Sequence, residues 1–226
     1  MLRFSLLRVP IIIHPSLWMI LLLFSVLAEQ STDWHIVHIS TFVAAGFISL
    51  LAHEMGHALT GQWLGGGRAQ VYLEWLGGSS WNPDAKLTRT GGLLMTAAGP
   101  FANILIGVAS FTTLYLVLGS TEACKDCLDG SYEYSCMVST GGLCLLRNLG
   151  VISIFWAAFN LLPVYPLDGG QLCAGLMKSM RLVLSISIAV AFVMFLVCLV
   201  LGKWVLMFFF AALAFFNYKR RAMEPY

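Results

Sequence analysis

His53, Glu54 and His57 stand together in the stretch LAHEMGHALT, residues 51–60. On a helix, side chains four positions apart project from one face, so two such imidazoles can converge on one ion. HExxH in that setting is a zinc-binding pattern, with the intervening glutamate as general base toward water. The run FVAAGFISLLA leads straight into it, so three ionisable side chains fall within an otherwise apolar stretch. Ionisable groups there are expensive to bury and mark a functional site. The competing explanation is a set of polar groups hydrogen-bonded inside a helix bundle, lining a metal or proton path.

A catalytic zinc usually takes three protein ligands and keeps one position open. Two carboxylates could supply the third ligand: Glu74 in RAQVYLEWL and Asp168 in FNLLPVYPLDGG. Depth favours Asp168. A helix entering the membrane near residue 36 reaches His53 after roughly 25 Å of a core about 30 Å thick. A later span entering from the same side near Asn148 brings Asp168 to a similar depth. Pro163 and Pro166 break that span just before Asp168, and broken backbone at membrane depth is tolerated only inside protein or beside water. Asp168-Gly169 is also an ordinary turn signal, and Glu74 stays as the lesser candidate.

The elements that must hold these residues follow from composition. Of 226 residues, 59% are hydrophobic and 11% charged, with a mean hydropathy of +0.83. Soluble domains carry about 25% charged residues, so the chain reads as an integral membrane protein in a lipid bilayer. The net charge of +2 is too small to argue for nucleic acid. Apolar runs predict six transmembrane helices at about 9–28, 36–62, 92–118, 148–166, 182–201 and 203–218. The expected fold is all-α and polytopic, one domain over 1–226 with core spans at 36–62, 92–118 and 148–170. The first run lacks a small-residue cleavage site and reads as a retained span.

Between the second and third spans, residues 67–90 alternate in character and carry Gly-Gly and Asn-Pro turn signals. They predict a small β-hairpin or sheet whose edge could hold an unwound substrate by strand addition. With six spans both termini share one side. That side holds Arg3, Arg8, Arg68, Lys86, Arg89, Lys178, Arg181, Lys219, Arg220 and Arg221, leaving Lys125, Arg147 and Lys203 opposite. The positive-inside rule makes the first side cytoplasmic. Residues 119–147 then form an outward loop with Cys124, Cys127, Cys136 and Cys144, a setting that favours one or two disulfides over a metal knuckle.

HEMGH in the second span and NLLPVYPLDGG in the fourth together resemble the site-2 proteases, the intramembrane zinc metalloproteases. AAGPFAN in the third span is similar to a further motif of that family. The resemblance implies one zinc per chain, bound by His53, His57 and Asp168, with Glu54 as catalytic base. It implies that Asn160 positions the scissile carbonyl or stabilises its oxyanion, and that Asn103 binds substrate. His14 is read as an interfacial anchor rather than a ligand. The substrate would be a transmembrane protein or peptide, cleaved for regulated intramembrane proteolysis or clearance of signal-peptide remnants. The PDZ and CBS domains of many relatives are not expected here, and the small build suggests a prokaryotic inner membrane. A transporter or channel using the same His and Asp residues is the alternative function.

Overall fold

A computed structural model describes residues 1–28, 36–75, 77–118 and 134–224. Residues 119–133 of the expected outward loop, with Cys124 and Cys127, lie outside the described residues, and the disulfides expected of those two cysteines do too. Among the described residues, two strands, two helices, two more strands and five further helices follow along the chain, and two compact units emerge: residues 1–87 with 98–157, and 88–97 with 158–226.

The first unit begins with a correction. Residues 9–13, expected to open the first span, form a strand. β1 (Leu2–Leu6) and β2 (Val9–Ile13) pair antiparallel. They are joined through Leu7 and Arg8 at φ of 49° and 67°, the left-handed pair that a two-residue hairpin turn demands. β2 then pairs in parallel with β3 (Gln70–Glu74), which pairs antiparallel with β4 (Gly77–Trp81). The sheet order is β1-β2-β3-β4. Val9, Ile11, Ile13, Val71 and Leu73 are buried on one face at the period-two spacing of strands. They pack with Leu17 of α1 (Pro15–Ala28) and with Leu50, Met55 and Ala58 of α2 (Ile36–Gly65).

His14 accounts for the switch from strand to helix. Its backbone N–H donates to Leu73 O at 2.9 Å, extending the strand pairing, while its Nδ1 receives the Ser16 N–H at 3.3 Å. That makes His14 the N-cap of α1 and Pro15 its first residue, the position where a missing N–H costs nothing.

α3 (Arg89–Leu118) and α4 (Tyr134–Asn160) each contribute residues to both units. α4 starts 14 residues before the expected 148 and stops at Asn160 rather than 166. Cys144 therefore lies on a helix and not in a loop. In the second unit, α5 (Asp168–Leu176) packs on α6 (Met180–Val200), and α6 pairs extensively with α7 (Trp204–Met223) around Val164, Ala191, Cys198, Met207 and Phe210.

Four helical segments are long and apolar enough to cross a membrane: Ile36–Gly65, Arg89–Val117, Gly141–Asn160 and Met180–Val200. Of the six expected spans, four meet that length and composition among the described residues. α1 has 14 residues, about 21 Å of rise against a core of about 30 Å. α7 ends in Lys219, Arg220 and Arg221, which dilute its apolar run.

Candidate metal centre

The first unit carries His53, Glu54 and His57 on α2, with 3%, 5% and 9% of their surface exposed. The helical period alone places the imidazoles one turn apart, and the packing of α3 then sets their angle. Their Nε2 atoms lie 3.2 Å apart and their rings stand at 87°. Two nitrogens bound to one tetrahedral zinc at about 2.05 Å would be roughly 3.3 Å apart. The pair therefore fits that ion without rearrangement.

α3 approaches this turn of α2 antiparallel, and glycine permits the approach. A Cβ on Gly56 would meet the Ala98 carbonyl oxygen at 2.6 Å, and one on Gly99 would overlap the His57 ring. One turn along, the Asn103 amide nitrogen lies 3.4 Å from His53 Nδ1, with Asn103 fully buried. The register pairs His57 with Gly99 and His53 with Asn103. Small residues of this kind let helix backbones close up in a membrane. Asn103, expected to bind substrate, thus sits behind His53, on the ring nitrogen that faces away from His57.

Glu54 leaves the same turn toward the sheet. A Cβ on Gly78 of β4 would overlap the Glu54 carboxyl group, so strand backbone runs directly past the expected base. Glu74, the lesser ligand candidate, is exposed at the end of β3. His14 is committed to capping, with its Nδ1 also 2.7 Å from Ser16 Oγ.

Asp168 belongs to the second unit, as the first residue of α5, 6% exposed. The segment before it folds back tightly: Cβ atoms on Gly169 and Gly170 would overlap the backbone of Leu161 and Tyr165. Hydrogen bonds then hold that fold. Ser187 Oγ accepts from Tyr165 N–H at 2.9 Å, Asn217 Nδ2 donates to Tyr165 O at 2.6 Å, and Gln171 Nε2 donates to Pro166 O at 2.9 Å. Arg220 lies over the Tyr165 ring at 4.4 Å. The far end of α5 is capped by Arg89, which donates to Gly175 O and Leu176 O at 2.7 and 2.8 Å. Asn160 ends α4 and is 8% exposed.

Sequence reasoning did not single out Ser187, Asn217, Arg89 or the glycines at 56, 78 and 99. Asn217 had a signal, a lone amide in the apolar run AALAFFNYK. The glycines had none, because what each lies against is far away in the sequence.

Comparison with known proteins agrees with this geometry. The model of peptidase family M50 matches residues 130–201. A zinc metalloprotease of Methanocaldococcus jannaschii is 24% identical over 202 residues, which cover 85% of this chain and 52% of that protein. The chain therefore spans about half the length of that curated relative. The solved structure of a site-2 protease from Methanocaldococcus jannaschii superposes with a TM-score of 0.58 at 19% identity, covering all of this chain and 97% of that one. The likeness is one of fold: apolar helices long enough to cross a membrane, with a small four-stranded sheet beside the helix that carries HExxH. Both motifs that resemble the site-2 proteases are intact in this chain, and the match to peptidase family M50 covers the second of them.

Proposed function

We propose that the chain is an intramembrane zinc endopeptidase that hydrolyses peptide bonds in or near transmembrane segments. The observation that carries this is the buried His53–His57 pair, spaced for one ion, with the Glu54 carboxyl beside it on the same turn. His53 and His57 offer two buried imidazoles and Asp168 a buried carboxylate, the donor types that could hold a catalytic zinc. When bound, zinc polarises a carbonyl and makes water acidic enough to react near neutral pH.

Glu54 takes the proton of the attacking water as its oxygen bonds to the scissile carbon. It returns that proton to the leaving amine as the C–N bond breaks. Asn160 donates to the developing oxyanion, an interaction typically worth about 3 kcal/mol. The substrate is a membrane protein whose helix must unwind locally, because a helical peptide bond is closed off by its own hydrogen bonds.

The sheet supplies a place for the unwound strand. β3 lies between β2 and β4, so it has no free side; the sheet's edges are β1 and β4, and β4 is the one that passes Glu54. A strand added along β4 would run beside Gly78 and therefore beside Glu54. The basic residues flanking the spans support cytoplasmic termini, and the small build supports a prokaryotic membrane. The transport alternative gains no supporting observation, since the buried imidazoles sit on a single helix turn and do not string across a membrane.

The test is zinc content of the detergent-purified chain beside cleavage of a transmembrane substrate. Wild type should hold about one zinc, Asp168→Ala should lose or weaken it, and Glu54→Gln should keep zinc and lose hydrolysis. A folded wild type without metal would refute the reading.

A further inference from the structure

The pairing of His53 with Asn103 goes further than ligand placement. Neutral histidine carries one proton, and its two nitrogens trade donor and acceptor roles. In the structure Asn103 Nδ2 lies on His53 Nδ1 at 3.4 Å, while His53 Nε2 lies on His57 Nε2 at 3.2 Å. With Asn103 donating to Nδ1, the His53 proton must sit on Nε2. It then points at the His57 nitrogen, and His53 has no lone pair to offer an ion.

Asn103 Oδ1 is buried and has no hydrogen-bond partner among the described residues. A half-turn about the Cβ–Cγ bond exchanges Oδ1 with Nδ2 and brings that acceptor onto Nδ1. The His53 proton then belongs on Nδ1, and both Nε2 lone pairs face a common point. A ligating histidine is commonly fixed in just this way, by an acceptor on its other nitrogen. Only an amide can serve both arrangements: a carboxylate accepts but does not donate, and an aliphatic side chain does neither.

We propose that Asn103 is a positioning residue that selects the tautomer of His53. With its amide oxygen turned to accept from Nδ1, the His53 Nε2 lone pair would be free for zinc. The role rests on the zinc reading above and replaces substrate contact as the function of this side chain.

The experiment measures zinc affinity of the full detergent-purified chain by chelator competition, for wild type, Asn103→Leu and Asn103→Asp. Leucine should weaken zinc by about 10-fold or more. Aspartate, which keeps the acceptor, should restore affinity to within a few-fold of wild type. Leucine binding as tightly as wild type would overturn the proposal, and so would aspartate binding as weakly as leucine. If leucine does not fold, the nitrogen spectrum of histidine-labelled wild type decides. Zinc-loaded protein should show His53 protonated at Nδ1 and bound through Nε2, and the reverse assignment would overturn the idea. Wild type with no zinc at all would overturn the underlying protease reading as well. Wild type with zinc and an indifferent leucine variant would overturn this proposal alone.

Discussion

A single methyl group at position 99 should disable metal binding. The Cβ of Gly99→Ala would stand 2.5 Å from His57 Cε1 and 2.9 Å from Cδ2, against an ordinary contact that begins at 3.4 Å. Relief requires the imidazole or the helix to move by roughly 1 Å to restore normal carbon contacts. The helix is poorly placed to yield, because Gly56 already meets the Ala98 carbonyl at the same crossing. Zinc–nitrogen distances tolerate only about 0.2 Å, so the ring cannot absorb the shift and remain a good ligand. We expect zinc affinity to fall toward the upper end of the 10–100-fold range seen when ligand supports are lost. Overpacking should lower stability by about 1–3 kcal/mol. The assay is chelator competition beside thermal unfolding in one detergent. The control is Gly92→Ala on the same helix, where an added Cβ meets nothing within 4 Å. That control should keep wild-type affinity and be as stable or up to about 1 kcal/mol more stable. Gly99→Ala with wild-type zinc affinity would refute the claim that α3 pins the His57 ring.

Gly78→Ala presses on Glu54 instead of on a ligand. Zinc content should hold while cleavage drops by about 10²–10⁴-fold, the usual worth of a general base, and equal losses of both would refute the separation. Ser79 and Ser80 are successive residues of β4, so their N–H groups point to opposite sides of the strand. Proline at the one facing the free edge should abolish cleavage with the fold retained, and activity surviving proline at each in turn would remove strand addition. Asn217→Leu deletes the hydrogen bonds to Tyr165 O and Leu213 O. At about 1 kcal/mol each, unfolding should show a loss near 2 kcal/mol together with weaker zinc, and an unchanged melting point would contradict the brace.

The chemistry of the site was legible because its parts are local. HEMGH needs only a helix to align His53 with His57, and the break before Asp168 is written in Pro163 and Pro166. The sheet was legible in half. RAQVYLEWL alternates, and Val71 and Leu73 do point inward. VPIII was absorbed into the first span, because a short apolar run reads equally as helix or strand and only its neighbours decide. The β-branched residues were the clue, but the deciding contact is a parallel pairing with Val71–Leu73, some sixty residues away. His14-Pro15, taken as an interruption within a span, is the beginning of α1. α4 began early because YSCMVSTGGLCLLR is too polar to stand out by hydropathy, although it is helical. Asn103 could be placed on a span from sequence, yet its partner depends on how α2 and α3 register.

The two kinds of proposed ligand are held by different forces, and that difference governs how each fails. The imidazoles are set by shape: Gly99 against the His57 ring, Gly56 against Ala98, with no adjustable side chain at the contact. Such a crossing is indifferent to lost hydrogen bonds but intolerant of added volume. Asp168 is set by polar contacts on the segment before it, through Ser187 and Asn217, with Arg89 closing α5 at its far end. Those contacts tolerate modest changes of volume but not the loss of a partner, since the backbone N–H and carbonyl groups they satisfy are left in a low-dielectric interior. Small-to-large changes on α3 should therefore act through the histidines, and polar-to-apolar changes on α6 and α7 through the aspartate. A set of zinc affinities across both kinds of substitution would separate the two supports, and identical sensitivity to volume and polarity on both sides would show that no such division exists.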